Sequence, residues 1–324
     1  MITTQKEIQK MASAWQQSRA LLAAVELKLF SHVGSGATSA DIATAAGTDP
    51  RCTDRLLNVM VTLGFMGKSG EVYTNGPAAA QFLVEGEDEY LSSLFHTAYT
   101  YRNWGTLAEA VKAGTAVIDL GWDSDERRDA FIEAMHRRAR NDADQLVASF
   151  DLTDVSRVLD VGGGSGAYSM AMCRTRDGLT STILDLPEVT PLTQRYIFAE
   201  GMTDRIETKD GSYHEADYGT GYDLVLFSAI VHINSAAENQ NLMNRAYGAL
   251  NSGGLIAVQD FIMEEDRLTP PSGAMFALNM VVTTRAGDTY TREEIKGWLK
   301  NAGCDDIQFI KTGPVTSMVT GRKS

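Results

Sequence analysis

Glycines packed closely behind an acidic strand end are the residues in this chain best suited to hold a nucleotide-like ligand. The run Ser156-Arg-Val-Leu-Asp-Val-Gly-Gly-Gly-Ser-Gly166 supplies Asp160 and then Gly162, Gly164 and Gly166, so the backbone can turn tightly and lie against a ligand with no Cβ in the way. Roughly twenty residues further on, Ser181-Thr-Ile-Leu-Asp-Leu186 ends on Asp185, where a carboxylate would hold ribose hydroxyls. A third polar group, His232, follows the apolar strand Tyr222-Asp-Leu-Val-Leu-Phe227 and could take a proton from a substrate. Gly162, Gly164 and Ala167 also satisfy the G-x-G-x-x-G/A spacing of dinucleotide sites, a pattern that often arises by chance, so an NAD-dependent oxidoreductase stays open at this point.

These residues need a scaffold, and the periodicity supplies one. Ala167-Tyr-Ser-Met-Ala-Met-Cys173 has the period of a helix, which puts the glycines in a strand-to-helix turn. Strands are expected at 156–160, 181–186, 205–208, 222–227, 255–259, 307–310 and 317–320. Helical stretches between them include 238–250 and one opened by the capping box Thr291-Arg-Glu-Glu294. The alternation predicts a doubly wound, seven-stranded Rossmann-like α/β sheet, which binds ligands at the carboxyl ends of its strands. Asp160, Asp185 and His232 all stand at or just after such ends.

The first hundred residues read differently. Apolar positions Ile8, Met11, Trp15, Leu21, Leu22, Val25 and Leu29 predict helix over 5–31. Ser39 is the expected cap of a short helix ending at Gly47, Asp49-Pro50 starts another, and Gly64 to Asn75 reads as strand, turn and strand. That outline is a winged helix, which raises a DNA-binding regulator as an alternative. Charge speaks against it: Met1 to Thr100 holds seven Lys/Arg against ten Asp/Glu, a net of −3, and the whole chain carries −13. Residues 88–150 read as mostly helical, broken near Gly114 and around Gly121 to Ser124.

The 324 residues suffice for two domains, and a composition 44% hydrophobic and 8% aromatic is that of an ordinary globular protein. No stretch approaches the roughly 18 uninterrupted apolar residues of a membrane span, and the opening residues lack a secretory layout, so a cytoplasmic protein is expected. Cys52, Cys173 and Cys304 lie far apart, without metal-ligand spacing, and read as reduced thiols with no metal site.

Asp160 two positions before Gly162 resembles the first motif of class I S-adenosylmethionine (SAM)-dependent methyltransferases. Ile183-Leu-Asp-Leu-Pro-Glu-Val189, the strand 222–227 leading to His232, and Gly253-Gly-Leu-Ile-Ala-Val-Gln-Asp260 are similar, in order and spacing, to motifs of the small-molecule O-methyltransferases typified by the caffeic acid, hydroxyneurosporene and acetylserotonin enzymes. The resemblance implies a winged-helix dimerisation domain over 1–100, a helical connector over 101–150 that lines the acceptor pocket, and a SAM-binding catalytic domain over 151–324. It implies a homodimer with exchanged N-terminal helices, and S-adenosylhomocysteine (SAH) as product. In this reading Asp160 with Gly162, Gly164 and Gly166 holds the methionine end, Asp185 the ribose, and Asp210, Ser212 and Tyr213 the adenine, with Ser228 also at the cofactor. His232 is the general base. Trp104, Phe131, Met135, Phe276, Asn279 and Met280 face a small hydroxylated aromatic or apolar acceptor.

The chain also departs from the family pattern. The histidine stands in His232-Ile-Asn-Ser235 rather than His-Asp-Trp. The positions of two base-orienting glutamates hold Gln259 or Asp260, and Thr289; a Gly-Asp-aromatic triplet is replaced by Gly211-Ser212-Tyr213. An S-, N- or C-methyltransferase that needs no protein base is therefore the alternative. Arg137, Arg138 and Arg140 could meet an anionic acceptor or form a solvated face.

Overall fold

A computed structural model describes residues 2–121, 124–313 and 315–324; the break expected at Gly121 to Ser124 thus falls partly on Trp122 and Asp123, outside the described residues. The chain forms two units, residues 1–102 and 103–324.

In the first unit, α1 (Gln5–Ser13) and α2 (Trp15–Glu26) replace the single helix expected over 5–31. Ala14 N–H bonds Met11 C=O, a tight three-residue closure that interrupts the ladder, and Lys28, in the left-handed region at φ 51°, ends the helical run. Next come β1 (Ala37–Thr38), α3 (Ser39–Ala46), α4 (Pro50–Thr62), the hairpin β2 (Met66–Ser69) and β3 (Val72–Asn75), and α5 (Pro77–Phe82). Thr38, not Ser39, caps α3: only Thr38 stands three residues before an acid, Asp41, and the two form a reciprocal capping box. The sheet order β1-β3-β2 completes a winged helix. Tyr73, fully buried on β3, ties the wing to α4 by donating to Asp54 Oδ1 at 2.7 Å while Lys68 Nζ donates to its oxygen at 2.5 Å.

In chain order follow α6 (Ser93–Trp104), α7 (Leu107–Ala113), α8 (Asp125–Val147), β4 (Arg157–Val161), α9 (Ala167–Thr175), β5 (Thr180–Asp185), α10 (Thr190–Ala199), β6 (Ile206–Asp210), β7 (Tyr222–Ser228), α11 (Ala236–Ala249), β8 (Leu250–Asp260), α12 (Pro271–Thr283), α13 (Arg292–Ala302), β9 (Cys304–Ile310) and β10 (Ser317–Lys323). The sheet runs β6-β5-β4-β7-β8-β10-β9, parallel except for β10, which is antiparallel to both its neighbours. Strand order reverses between β4 and β7, and that switch point opens the crevice in which such sheets bind ligands. Leu224, Val225, Leu226 and Phe227 are all fully buried, because helices cover both faces of the sheet and a central strand must be apolar throughout. Each such side chain contributes about 1.5–3 kcal/mol by leaving water. Among the described residues no helix is long and apolar enough to cross a membrane.

Candidate active site

β4 delivers Asp160 to the crevice at 0% exposure, with Oδ2 accepting from Ser169 Oγ at 2.7 Å; Ser169 Oγ lies 2.9 Å from Ser181 Oγ. Its other oxygen, Oδ1, is buried without a hydrogen-bond partner. Burial first, and the nearby Asp185 charge second, push the Asp160 carboxyl up to about 6. Above it the chain turns through Gly162 and Gly164, both left-handed at φ 67° and 56°. A Cβ on Gly162 would lie 2.3 Å from Ile230 Cδ1, whereas one on Gly164 would meet nothing within 4 Å, so the loop packs on its inner side and is open on its outer side. An orphaned acidic oxygen below an open glycine cradle fits the cationic methionine end of SAM.

Asp185 closes β5 half-buried. Its Oδ2 accepts from Gly164 N–H and its Oδ1 from Leu186 N–H, both at 2.8 Å, which fixes the carboxylate yet leaves acceptor capacity for ribose hydroxyls. Burial pushes this carboxyl up as well. Asp210 lies opposite Asp185 in register but is exposed, with Oδ1 accepting from Thr190 Oγ1 at 2.6 Å. Ser212 and Tyr213 line a cavity of about 910 Å³ together with Leu186, His214, Arg285 and residues of the stretch before α8, Thr115, Ala116 and Ile118 to Gly121. Burial holds the Tyr213 phenol up at about 12.

The next cluster grows from β7 and β8. Ser228 Oγ donates to Gln259 Oε1 at 2.6 Å, so this glutamine is bound to the neighbouring strand. The following residue, Ala229, is left-handed at φ 58°, a conformation that costs a non-glycine about 1–2 kcal/mol. That turn lays Ile230 on Gly162 and sets His232 in a short 3₁₀ turn, 8% exposed. Its Nδ1 is 2.8 Å from Oδ1 of Asp260, the 2%-exposed last residue of β8. Asp260 also accepts from Phe261 N–H at 2.7 Å and His232 N–H at 3.3 Å. Since a carboxylate only accepts, Nδ1 carries a proton, and in the neutral imidazole Nε2 is then the nitrogen with the lone pair. Thr289, at the other expected orienting position, is buried with its hydroxyl directed at Gly273 C=O, 3.4 Å away.

Phe276 of α12 meets the His232 ring edge-on at 4.9 Å and stacks on Phe261 at 3.9 Å. Asn279, one turn along, accepts from Trp104 Nε1–H at 3.0 Å, and Met280 beside it is buried. Phe131 and Met135 are half-buried on α8; one turn beyond them the Arg138 guanidinium lies over Phe261 at 4.8 Å. Asp160, Asp185, Ser228 and the His232–Asp260–Phe276 cluster thus stand at or just after the carboxyl ends of β4, β5, β7 and β8, with Asp210 exposed at the end of β6. Sequence reasoning missed Phe261, whose signal was its place directly after Asp260, and His136 of α8, which had none. His136 Nδ1 is 2.8 Å from Ser165 Oγ in the glycine loop, and its ring stacks on Tyr196 at 4.1 Å.

Comparison with known proteins supplies the family. Residues 104–305 match the model of the O-methyltransferase domain, and residues 10–85 that of the O-methyltransferase dimerisation domain. The chain is 31% identical to 3-hydroxy-5-methyl-1-naphthoate 3-O-methyltransferase of Streptomyces sahachiroi, over 93% of this chain and 90% of that one. It is 28% identical to bovine (Bos taurus) acetylserotonin O-methyltransferase, over 98% and 97%. The solved structure of human N-acetylserotonin methyltransferase in complex with SAM shares its fold, at TM-score 0.83 and 24% identity over 99% of each chain. Dehydrogenase and DNA-binding readings are thereby set aside, and the chain belongs to the O-methyltransferase family, whose members are SAM-dependent enzymes.

Proposed function

We propose that this enzyme methylates a hydroxyl on a small aromatic acceptor, with His232 as general base and Asp260 as the carboxylate that orients it. The 2.8 Å contact between His232 Nδ1 and Asp260 Oδ1, with both residues buried, carries this reading over base-free S-, N- or C-methylation. A phenol with pKa near 10 is a poor nucleophile at neutral pH, so its proton must leave as the oxygen attacks. Nε2 of His232 is the nitrogen left to accept it, and the adjacent Asp260 charge stabilises the imidazolium that forms. SAM supplies the methyl group on a sulfonium leaving group, so the protein's remaining task is to align the acceptor and exclude water. Phe276 and the Trp104–Asn279 pair give an apolar wall with one polar link, suited to an aromatic ring. The naphthoate and acetylserotonin substrates named for its relatives are of that kind.

In the same reading Asp160 and the glycine loop hold the methionine end, Asp185 the ribose, and Ser212 and Tyr213 the adenine, with Asp210 acting from the rim through Thr190. The domains divide as 1–100, 101–150 and 151–324, and the winged unit joins two chains into a homodimer, as the match to the dimerisation domain supports. Three free cysteines, Cys52 among them exposed, suit the reducing cytoplasm. Methyl transfer to a phenol such as a hydroxynaphthoate tests the chemistry: His232→Ala should slow it a hundredfold or more while SAH affinity is unchanged. An unaltered rate would exclude His232 as the base.

A further inference from the structure

We propose that His136 is a positioning residue for the cofactor, acting as a clasp that fixes the glycine loop through Ser165. The inference rests on the reading of that loop as the methionine-end site. Between Gly162 and Gly166 the only side chain is that of Ser165, 4% exposed, so it is the one side-chain handle the loop offers to a neighbouring element. His136 takes that handle: Nδ1 and Ser165 Oγ are 2.8 Å apart.

The imidazole is itself held in place. It stacks on Tyr196 of α10 with centroids 4.1 Å apart and planes at 22°. Thr193, nearly one turn earlier on α10, donates from Oγ1 to Gly164 C=O at 2.5 Å. The same helix therefore grips the loop directly at Gly164 and braces the group that grips it at Ser165. A glycine-rich loop has more conformations to lose than any other segment, and each one it keeps in the free enzyme lowers its affinity for ligand. Clamping the loop beforehand from α8 and α10 shifts that cost from binding to folding. The hydrogen bond points at the loop and not at the reacting centre, so it belongs to cofactor affinity and not to the chemical step.

Calorimetric titration of the full-length protein with SAH tests this. Ser165→Ala removes one oxygen, and His136→Phe keeps the ring on Tyr196 but removes the hydrogen bond. Each should weaken SAH three- to tenfold, and the double variant should be no weaker than the worse single one, because both remove the same bond. His136→Asn, whose amide can stand where Nδ1 stood, should bind within about twofold of the parent, and kcat should be unchanged in all four variants. Parent-like affinity in His136→Phe, or losses that multiply in the double variant, would overturn the clasp. Asp185→Ala run alongside separates the two ideas: a loss there with none in His136→Phe removes only the clasp, whereas unchanged affinity in Asp185→Ala removes the cofactor-site reading beneath it.

Discussion

Asp260→Asn is the substitution that most sharply separates what this carboxylate does as a charge from what it does as an acceptor. In the parent, Oδ1 receives His232 Nδ1–H at 2.8 Å and Phe261 N–H at 2.7 Å, while Oδ2 receives the longer His232 N–H at 3.3 Å. An asparagine can keep its oxygen at the Oδ1 position, retaining both short bonds and setting its NH₂ against only the long one. The flipped amide would set NH₂ against two donors at short range. The first arrangement wins, so the Nδ1–H tautomer survives and Nε2 remains a base. What is lost is the charge opposite the imidazolium, the difference between a charge-assisted and a neutral hydrogen bond, about 1–2 kcal/mol. The expected cost is therefore roughly five- to thirtyfold in kcat, far short of the several-thousandfold loss that follows a wrong tautomer. The assay is steady-state methyl transfer to a hydroxynaphthoate from isotopically labelled SAM, with SAH affinity measured as a control. A rate as low as that of His232→Ala would show that the amide flips and the acceptor argument is wrong; an unchanged rate would show that the charge is not used.

Two further outcomes follow from the site's geometry. Asp160, pushed up from near 4 to about 6, holds a proton between about pH 4 and pH 6 that the unfolded chain has already released, so its contribution is intact below about pH 4 and is lost as pH rises through about 6. At about 1.4 kcal/mol per pH unit this is about 3 kcal/mol. Asp160→Asn should thus raise the melting temperature of the ligand-free protein by several degrees at pH 7, with little gain at pH 4, and weaken SAH; equal gains at both pH values would refute the assignment. Trp104→Phe removes the donor to Asn279 and should raise acceptor KM about three- to tenfold with SAH affinity untouched; an unchanged KM would place that pair outside the acceptor wall.

Much of this was legible because it is periodic or local. Runs such as Leu224 to Phe227 betray a two-sided buried strand, and Thr291 with Glu294 forms the capping box that its spacing announced. Where a local rule was misapplied, the structure shows which residue satisfies it: Thr38, not Ser39, has an acid three residues on. Asp260 could as well have ended its strand in solvent, and only its neighbours in space reveal it at 2% exposure against His232. The left-handed turn at Ala229 was hidden, since alanine carries no signal for positive φ. So was His136, 29 positions from the serine it touches and on an element whose sequence reads simply as helix.

The proposed catalytic pair comes from the ends of two adjacent central strands. Ser228 and Gln259 are register partners of β7 and β8, Asp260 follows the second, and His232 follows the first after a single short turn. The spacing of hydrogen-bonded strands fixes where Ser228 and Gln259 stand, and only the short Ala229 to Val231 turn lies between that frame and His232. The aromatic ring against which an acceptor would lie, Phe276, comes instead from α12, outside the sheet. For anyone redirecting this enzyme to a new phenol, the helix is the adjustable jaw and the sheet the fixed one. Libraries confined to α12 and the Trp104 segment would explore shape while leaving the proposed His232–Asp260 geometry intact, whereas the same diversity at the ends of β7 and β8 would disrupt it.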